Sequence, residues 1–162
     1  MALDENQRAT LAAHIKANAD LDVAAALAQR NDTELTRLYN LDSGFTVWRE
    51  AVQPEEYREA LVWTEIDALP AGKARIWEWI TQGMTVSFDA TKDNVRKGLA
   101  DAFDGNMTTR GQMLAVAKEL ATVNQSIFAT GTGTNADPGV RVATGPLTIL
   151  DVGRALNENE AA

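Results

Sequence analysis

At 162 residues, with 45% hydrophobic and 23% charged residues, the chain has the composition of a folding domain, too short for two of ordinary size and unlike a disordered protein. Its 23 acidic against 15 basic residues leave a formal charge of -8, which opposes tight binding to DNA or anionic lipid, where cationic side chains must neutralise phosphate. The absence of cysteine excludes a disulfide framework, a thiolate nucleophile and a cysteine-based zinc site.

The amino terminus carries acids where a secretion signal needs basic residues. "DENQRATLAAHIKAN" is instead a helix pattern, with Leu11 and Ile15 one turn apart and acids at the positive end of the helix dipole. "DLDVAAALAQRNDTELTRLYN" divides into two short helices at Arg30 and Asn31, the second opening on Asn31 as cap, with Glu34 three residues on. "GFTVWREAV" alternates like a short strand, and Pro54 stands at the first turn of a helix through "EEYREALVW". In "PAGKARIWEWITQG" Ile76, Trp77 and Ile80 share a helical face, Trp79 lies on another, and Gly83 sits where a helix stops. After an extended link, Val95, Leu99, Ala102 and Phe103 mark one side of the next helix. "TTRGQMLAVAKELATVNQSIF" then reads as one long helix with an apolar stripe from Met113 to Phe128.

Past Phe128 the composition turns to Gly, Thr, Asn, Asp and Pro in "ATGTGTNADPGVRVATGP", a long irregular arm. Within it "VRV" allows a short strand or hairpin, and Pro146 a first turn of a terminal helix, "LTILDVGRAL". The expected fold is therefore mainly α: a small helical bundle over 1–128 and a C-terminal arm with a short terminal helix over 129–162. Ordering backbone costs about 1–2 kcal/mol per residue, and the arm holds few apolar residues to offset it. It is expected to need a surface supplied by a partner, through strand addition or helix-in-groove docking.

No residue pattern recommends itself for chemistry, so no catalytic, cofactor-binding or metal site is expected. His14 is the lone histidine; Glu55, Glu56 and Glu59 share a helix with Arg58 and read as a solvated charged face. Asp67, Gly72 and Glu78 fall at calcium-loop positions, but Leu69 and Ala71 stand where oxygen ligands belong. "GTGTNADPG" has close-set glycines, yet it follows a helix rather than a strand and lacks the Gly-Lys-Ser/Thr ending of a phosphate loop. The residues expected to meet a partner are Phe128, Val140, Val142, Leu147, Ile149, Leu150, Val152 and Leu156 on the arm, together with Trp79.

Taken along the chain, "DVAAALAQRNDTELTRLYN", "VWTEIDAL" with "KARIWEWI", "NVRKGLADAF" with "TTRGQMLAVA", and "SIFATGTGT" with "GPLTILDVGRAL" resemble a family of small virion-assembly proteins of tailed bacteriophages. "FATG" and "DVGRAL" match a helix, turn and short terminal helix found in many members, whereas "NADPGVRVATG" is an insertion. The resemblance implies a head-to-tail connector, or adaptor, assembled in the host cytoplasm and located in the virion neck. It implies a ring of copies, twelve-fold in that family, beneath the portal protein. Stopper or tail proteins would lie on the far side, with DNA passing through without specific binding and no membrane involved. Two other classes stay open: a stopper or tail terminator, which would carry more β structure, and an assembly chaperone or binding module absent from particles.

Overall fold

A computed structural model describes residues 3–105, 107–142 and 145–158. The elements run α1 (Glu5–Ala17), α2 (Leu21–Ala28), α3 (Asp32–Tyr39), β1 (Asp42–Trp48), α4 (Pro54–Glu59), α5 (Trp63–Asp67) and α6 (Ala71–Thr81). They continue with α7 (Asp93–Ala102), α8 (Thr108–Val116), β2 (Lys118–Thr122), α9 (Val123–Phe128) and α10 (Ile149–Glu158). The fold is mainly helical, as the sequence patterns lead one to expect, with β1 and β2 forming a two-stranded sheet.

Local capping chemistry sets most helix boundaries. Asp4 and Gln7 exchange side-chain and backbone bonds at the start of α1, and Asp20 accepts from the amides of Asp22 and Val23 at the start of α2. Arg30, at φ 51°, ends α2 in the left-handed region while the Asn31 amide donates to Ala26 O at 2.9 Å. Asn31 then caps α3 by accepting from Glu34 N at 3.0 Å. Pro54 occupies the first turn of α4.

The long helix expected from Thr108 to Phe128 is a helix, a strand and a helix. Alpha-helical bonding ends at Val116, and Lys118–Thr122 pairs with β1 instead. Leu41 O accepts from Val123 N at 2.8 Å and Ala117 O from Arg49 N at 3.0 Å, so the strands run in opposite directions. Thr122 then restarts a helix: its Oγ1 accepts from Gln125 N and Gln125 Oε1 accepts from Thr122 N. Satisfying the backbone of β1 outweighs the helical preference of "KELAT".

Two compact units result, and their boundaries differ from the expected division at residue 128. One comprises residues 1–47 and 120–162, the other 48–119. The difference arises because the C-terminal segment packs into the unit that holds the amino terminus.

In that first unit α1 packs on α2, α9 and α10, while α3 packs on α2, α9 and α10. Leu11, Ile15, Leu35 and Tyr39 meet Leu147, Val152, Ala155 and Leu156 in one core. The arm is bound by backbone as well as side chains. Thr46 N donates to Gly133 O at 2.7 Å, Gly139 N to Thr46 O at 2.9 Å, and Thr130 and Val140 exchange both of their bonds. Asn40 clamps Leu147 from both sides, its Nδ2 donating to Leu147 O and its Oδ1 accepting from Leu147 N, each at 2.9 Å. The partner anticipated for the arm is, in large part, β1 and the helices of its own chain.

In the second unit aromatic rings carry the core. Trp77 meets Tyr57 edge-on at 5.6 Å and Phe103 at 5.3 Å, and Tyr57 Oη donates to Val86 O at 2.9 Å. Ile76, Ile80, Val95, Leu99 and Ala102 join this core as their helical spacing predicts. Helix α6 ends at Thr81 with Gln82 as its C-cap and the expected glycine just beyond it, and Gln82, Gly83 and Met84 are all at positive φ.

Glu65 holds the start of α8: its two carboxylate oxygens accept from the amides of Thr108 and Thr109 at 2.9 and 2.8 Å. The Thr109 hydroxyl, and with it these amide bonds, holds its carboxyl below the ordinary value of 4.5. A depressed acid pKa contributes stability above the unfolded value that is lost as pH falls through the folded one. The melting temperature of this unit is therefore expected to drop on acidification below 4.5, and Glu65→Gln to lower it at neutral pH while flattening that dependence. Thermal melts of both proteins across acid pH check this.

A candidate interaction surface

Helix α10 is two-faced. Thr148 caps it by accepting from Asp151 N at 3.2 Å, and the Asp151 carboxylate accepts in return from Thr148 N at 3.1 Å. The helix thus starts at Ile149 rather than at Pro146, because the amide of Leu147 is already committed to Asn40. From that start, Val152, Ala155 and Leu156 point into the core, while Ile149, Leu150 and Arg154 point outward.

The residues expected to meet a partner therefore separate into two groups. Leu147 is 4% and Val152 0% exposed, with Leu156 buried beside them and Phe128 packed against the same core. Val140 is half-buried and bridged to Thr130. The apolar surface of Phe128, Leu147, Val152 and Leu156 is used within the chain, which corrects the expectation that these four await a second molecule, while Val140 is held through its backbone. Val142, Ile149 and Leu150 are exposed, Leu150 at 59%, and in the other unit Trp79 is exposed at 73%. Those four can still meet a partner.

A depression of about 360 Å³ lies on the same unit as α10, lined by Asn18, Asp20, Asp22, Val23, Leu38, Tyr39, Leu41, Asp42 and Val123. Leu41 on its wall is 47% exposed. Sequence spacing does not reveal this groove, since Val123 arrives there only through its bond to Leu41 O. The signal that was available is the run of acids flanking Leu21, a leucine 85% exposed in the fold.

At the edge of the groove His14 Nδ1 lies 2.8 Å from Tyr39 Oη, which also accepts from Asn18 Nδ2 at 3.4 Å. Partial burial lowers the His14 pKa from 6.5, and burial raises that of Tyr39 against the opposing bond from Asn18. A lowered pKa on a base means that the unfolded chain binds the proton more readily. Stability is expected to be full above 6.5 and to fall as pH drops through the folded value; His14→Gln should remove that component in melts followed between about pH 5 and 8.

The remaining sequence candidates are structural. Glu56 takes two bonds from Arg49, at 2.7 and 2.9 Å, which with the Gln53 amide lower its pKa. The stretch from Asp67 to Glu78 is helix from Ala71 onward. The glycine-rich segment wraps the Phe45 ring: a Cβ on Gly133 would fall 2.1 Å from it and one on Gly139 2.6 Å from it. Among the described residues no group of three or more His, Asp or Glu is placed to share a metal ion, and no helix is long and apolar enough to cross a membrane.

No protein-family model, curated protein or solved structure matches the chain. Isolated exposed apolar residues are ordinary. Ile149 and Leu150 differ in being adjacent on a helix whose other side is locked into the core, so they are presented outward at little further entropic cost.

Proposed function

We propose that the protein is a structural component of a tailed-bacteriophage virion, a head-to-tail connector that forms a ring under the portal protein, with stopper or tail proteins below it. The observation that carries this reading is the C-terminal segment, which is fixed to the body by its buried half yet turns Val142, Ile149 and Leu150 outward. A rigid apolar edge of this kind suits assembly with other proteins. The resemblance of "FATG" and "DVGRAL" to that family supplies the setting. The formal charge of -8 suits a channel through which DNA passes without being held, and a helical body suits an adaptor better than a β-rich stopper or terminator. The role is structural, without catalysis.

Mass spectrometry of purified particles tests the reading. The protein should be present at a stoichiometry of a few copies of one ring and should remain with isolated necks. Its absence from particles, with abundance in the lysate, would move it to the chaperone or binding-module class.

A further inference from the structure

We infer that His14, Tyr39 and Asn18 form a proton-operated latch that holds the last turn of α1 to the end of α3, closed while His14 is neutral and released when its ring takes up a second proton. Counting donors fixes the direction of each bond. Asn18 Nδ2 can only donate, and it does so to Tyr39 Oη at 3.4 Å. The hydroxyl has one proton of its own, and Tyr39 is 0% exposed, so water does not take it. Among the described residues the remaining polar atom recorded beside that hydroxyl is His14 Nδ1, at 2.8 Å. The proton therefore goes to His14, which makes Nδ1 an acceptor and puts the hydrogen of the neutral ring on Nε2.

Protonation removes that acceptor. An imidazolium has two N–H groups and no lone pair, so both neighbours of the hydroxyl become donors and its own proton is stranded in a buried site. His14 lies on the exposed side of α1 and can turn away; Tyr39 is locked in the core with Leu11, Ile15 and Leu35. The disturbance passes on through Asn18, whose Oδ1 accepts from Asp20 N at 3.0 Å, while Asp20 itself caps α2 through the amides of Asp22 and Val23. One hydroxyl thus ties together the end of α1, the start of α2 and the end of α3.

The charged groups on the surrounding elements do not account for the switch. On α1, Arg8 pairs with Glu158 of α10, and Glu5 and Lys16 are the other ionic side chains. Asp20 and Asp22 of α2 and Asp42 line the hollow beside Asn18 and Tyr39. On α3, Glu34 and Arg37 pair with each other and Asp32 stands at the first turn. Asp151 of α10 is bonded to Thr148, Arg154 lies on its outward side, and α9 carries no titratable side chain. Carboxylates acting on a histidine favour its charged form and raise its pKa. That of His14 is lowered, with burial as the cause, and a bond donated by Tyr39 to the neutral ring acts in the same direction. The latch is therefore closed above 6.5 and opens as pH falls through the folded value. It belongs to the fold of the unit that holds α1 and does not depend on the connector reading.

The chain has one histidine, so nitrogen NMR of the full-length protein sees a single imidazole. At alkaline pH the Nε2–H form is expected; a ring that carries its hydrogen on Nδ1 would overturn the inference. Tyr39→Phe keeps the buried ring but removes the hydroxyl, and should raise the His14 pKa. Burial acting alone predicts no rise, so an unchanged or lower pKa in that variant also sinks the latch. Should Tyr39→Phe fold poorly, Asn18→Asp serves instead: it offers the hydroxyl another acceptor, and the neutral ring is then expected to move its hydrogen to Nδ1. The release itself is read from amide exchange at Asn18 and Asp20 between about pH 5 and 8, corrected for the intrinsic pH dependence of exchange. Wild type should lose protection there by about tenfold on acidification, whereas His14→Gln, whose amide oxygen accepts at any pH, should not. Protection that is the same at both ends of the range in wild type would show that no latch opens.

Discussion

Deleting everything after Thr130 is expected to unfold the unit made of residues 1–47 and 120–162. The deletion removes Leu147, Val152, Ala155 and Leu156 from a core they share with Leu11, Ile15, Leu35 and Tyr39, together with the Asn40 clamp. Emptying a single buried aliphatic site costs about 2–5 kcal/mol, and a whole domain is stable by only about 5–15 kcal/mol. Losing several such sites at once exceeds what the unit can absorb. The readouts separate cleanly, because Trp48, Trp63, Trp77 and Trp79 all lie in the unit of residues 48–119. Amide protection in α1, α2 and α3 should vanish in the truncated protein, while a cooperative tryptophan fluorescence transition persists. Retained protection in those helices would show that the arm is dispensable to the body, as its composition first suggested.

The second large effect is expected at two glycines of the arm. Gly133 has φ of +68°, and an added Cβ would lie 2.1 Å from Phe45 Cδ2; at Gly139 it would lie 2.3 Å from Thr130 O and 2.6 Å from Phe45 Cε1. The left-handed backbone alone costs a residue with a Cβ about 1–2 kcal/mol, and overpacking adds about 1–3 kcal/mol. Gly133→Ala bears both penalties and Gly139→Ala the second, with rigid backbone as the obstacle. Gly72→Ala serves as the contrast: it sits in α6 with nothing within 4 Å of the new methyl and should be neutral or stabilising by about 0.5–1 kcal/mol. Denaturant melts of the three variants measure the differences. Combining Phe45→Ala with Gly133→Ala should cost less than the two changes separately, since the ring that obstructs the methyl is gone.

Helix starts were legible in the sequence wherever a cap lies beside the turn it serves. Asp4, Asn31 and Pro54 announce α1, α3 and α4, and the apolar spacing of Ile76, Trp77 and Ile80 and of Val95, Leu99 and Ala102 gives the facing sides of α6 and α7. The break between α8 and α9 was also written there, as Thr122 followed by Gln125, but an uninterrupted apolar stripe concealed it. That stripe is real only as a spacing: Met113 and Ala117 belong to one core and Phe128 to another. What forces the break is the unpaired edge of β1, more than sixty residues earlier, and no local pattern records that demand.

The interaction surface was half legible for a similar reason. Apolar residues on the arm could be recognised as needing cover, but composition cannot say whose. Ile149 and Leu150 differ from Val152 and Leu156 only in where the Thr148 cap and the Asn40 clamp set the phase of α10. Once that phase is known, each turn of one short helix divides between core and solvent.

The first unit is assembled from the two ends of the chain, with contacts such as Arg8 to Glu158 spanning 150 positions. During synthesis its helices α1, α2 and α3 emerge long before the residues that complete their core. The unit of residues 48–119 is one continuous stretch and can fold as soon as that stretch is made. The exposed early helices must then wait, with Leu11, Leu35 and Tyr39 uncovered, until Leu156 has been translated. The order of folding therefore inverts the order of the sequence: the middle closes first, and the beginning is finished by the end.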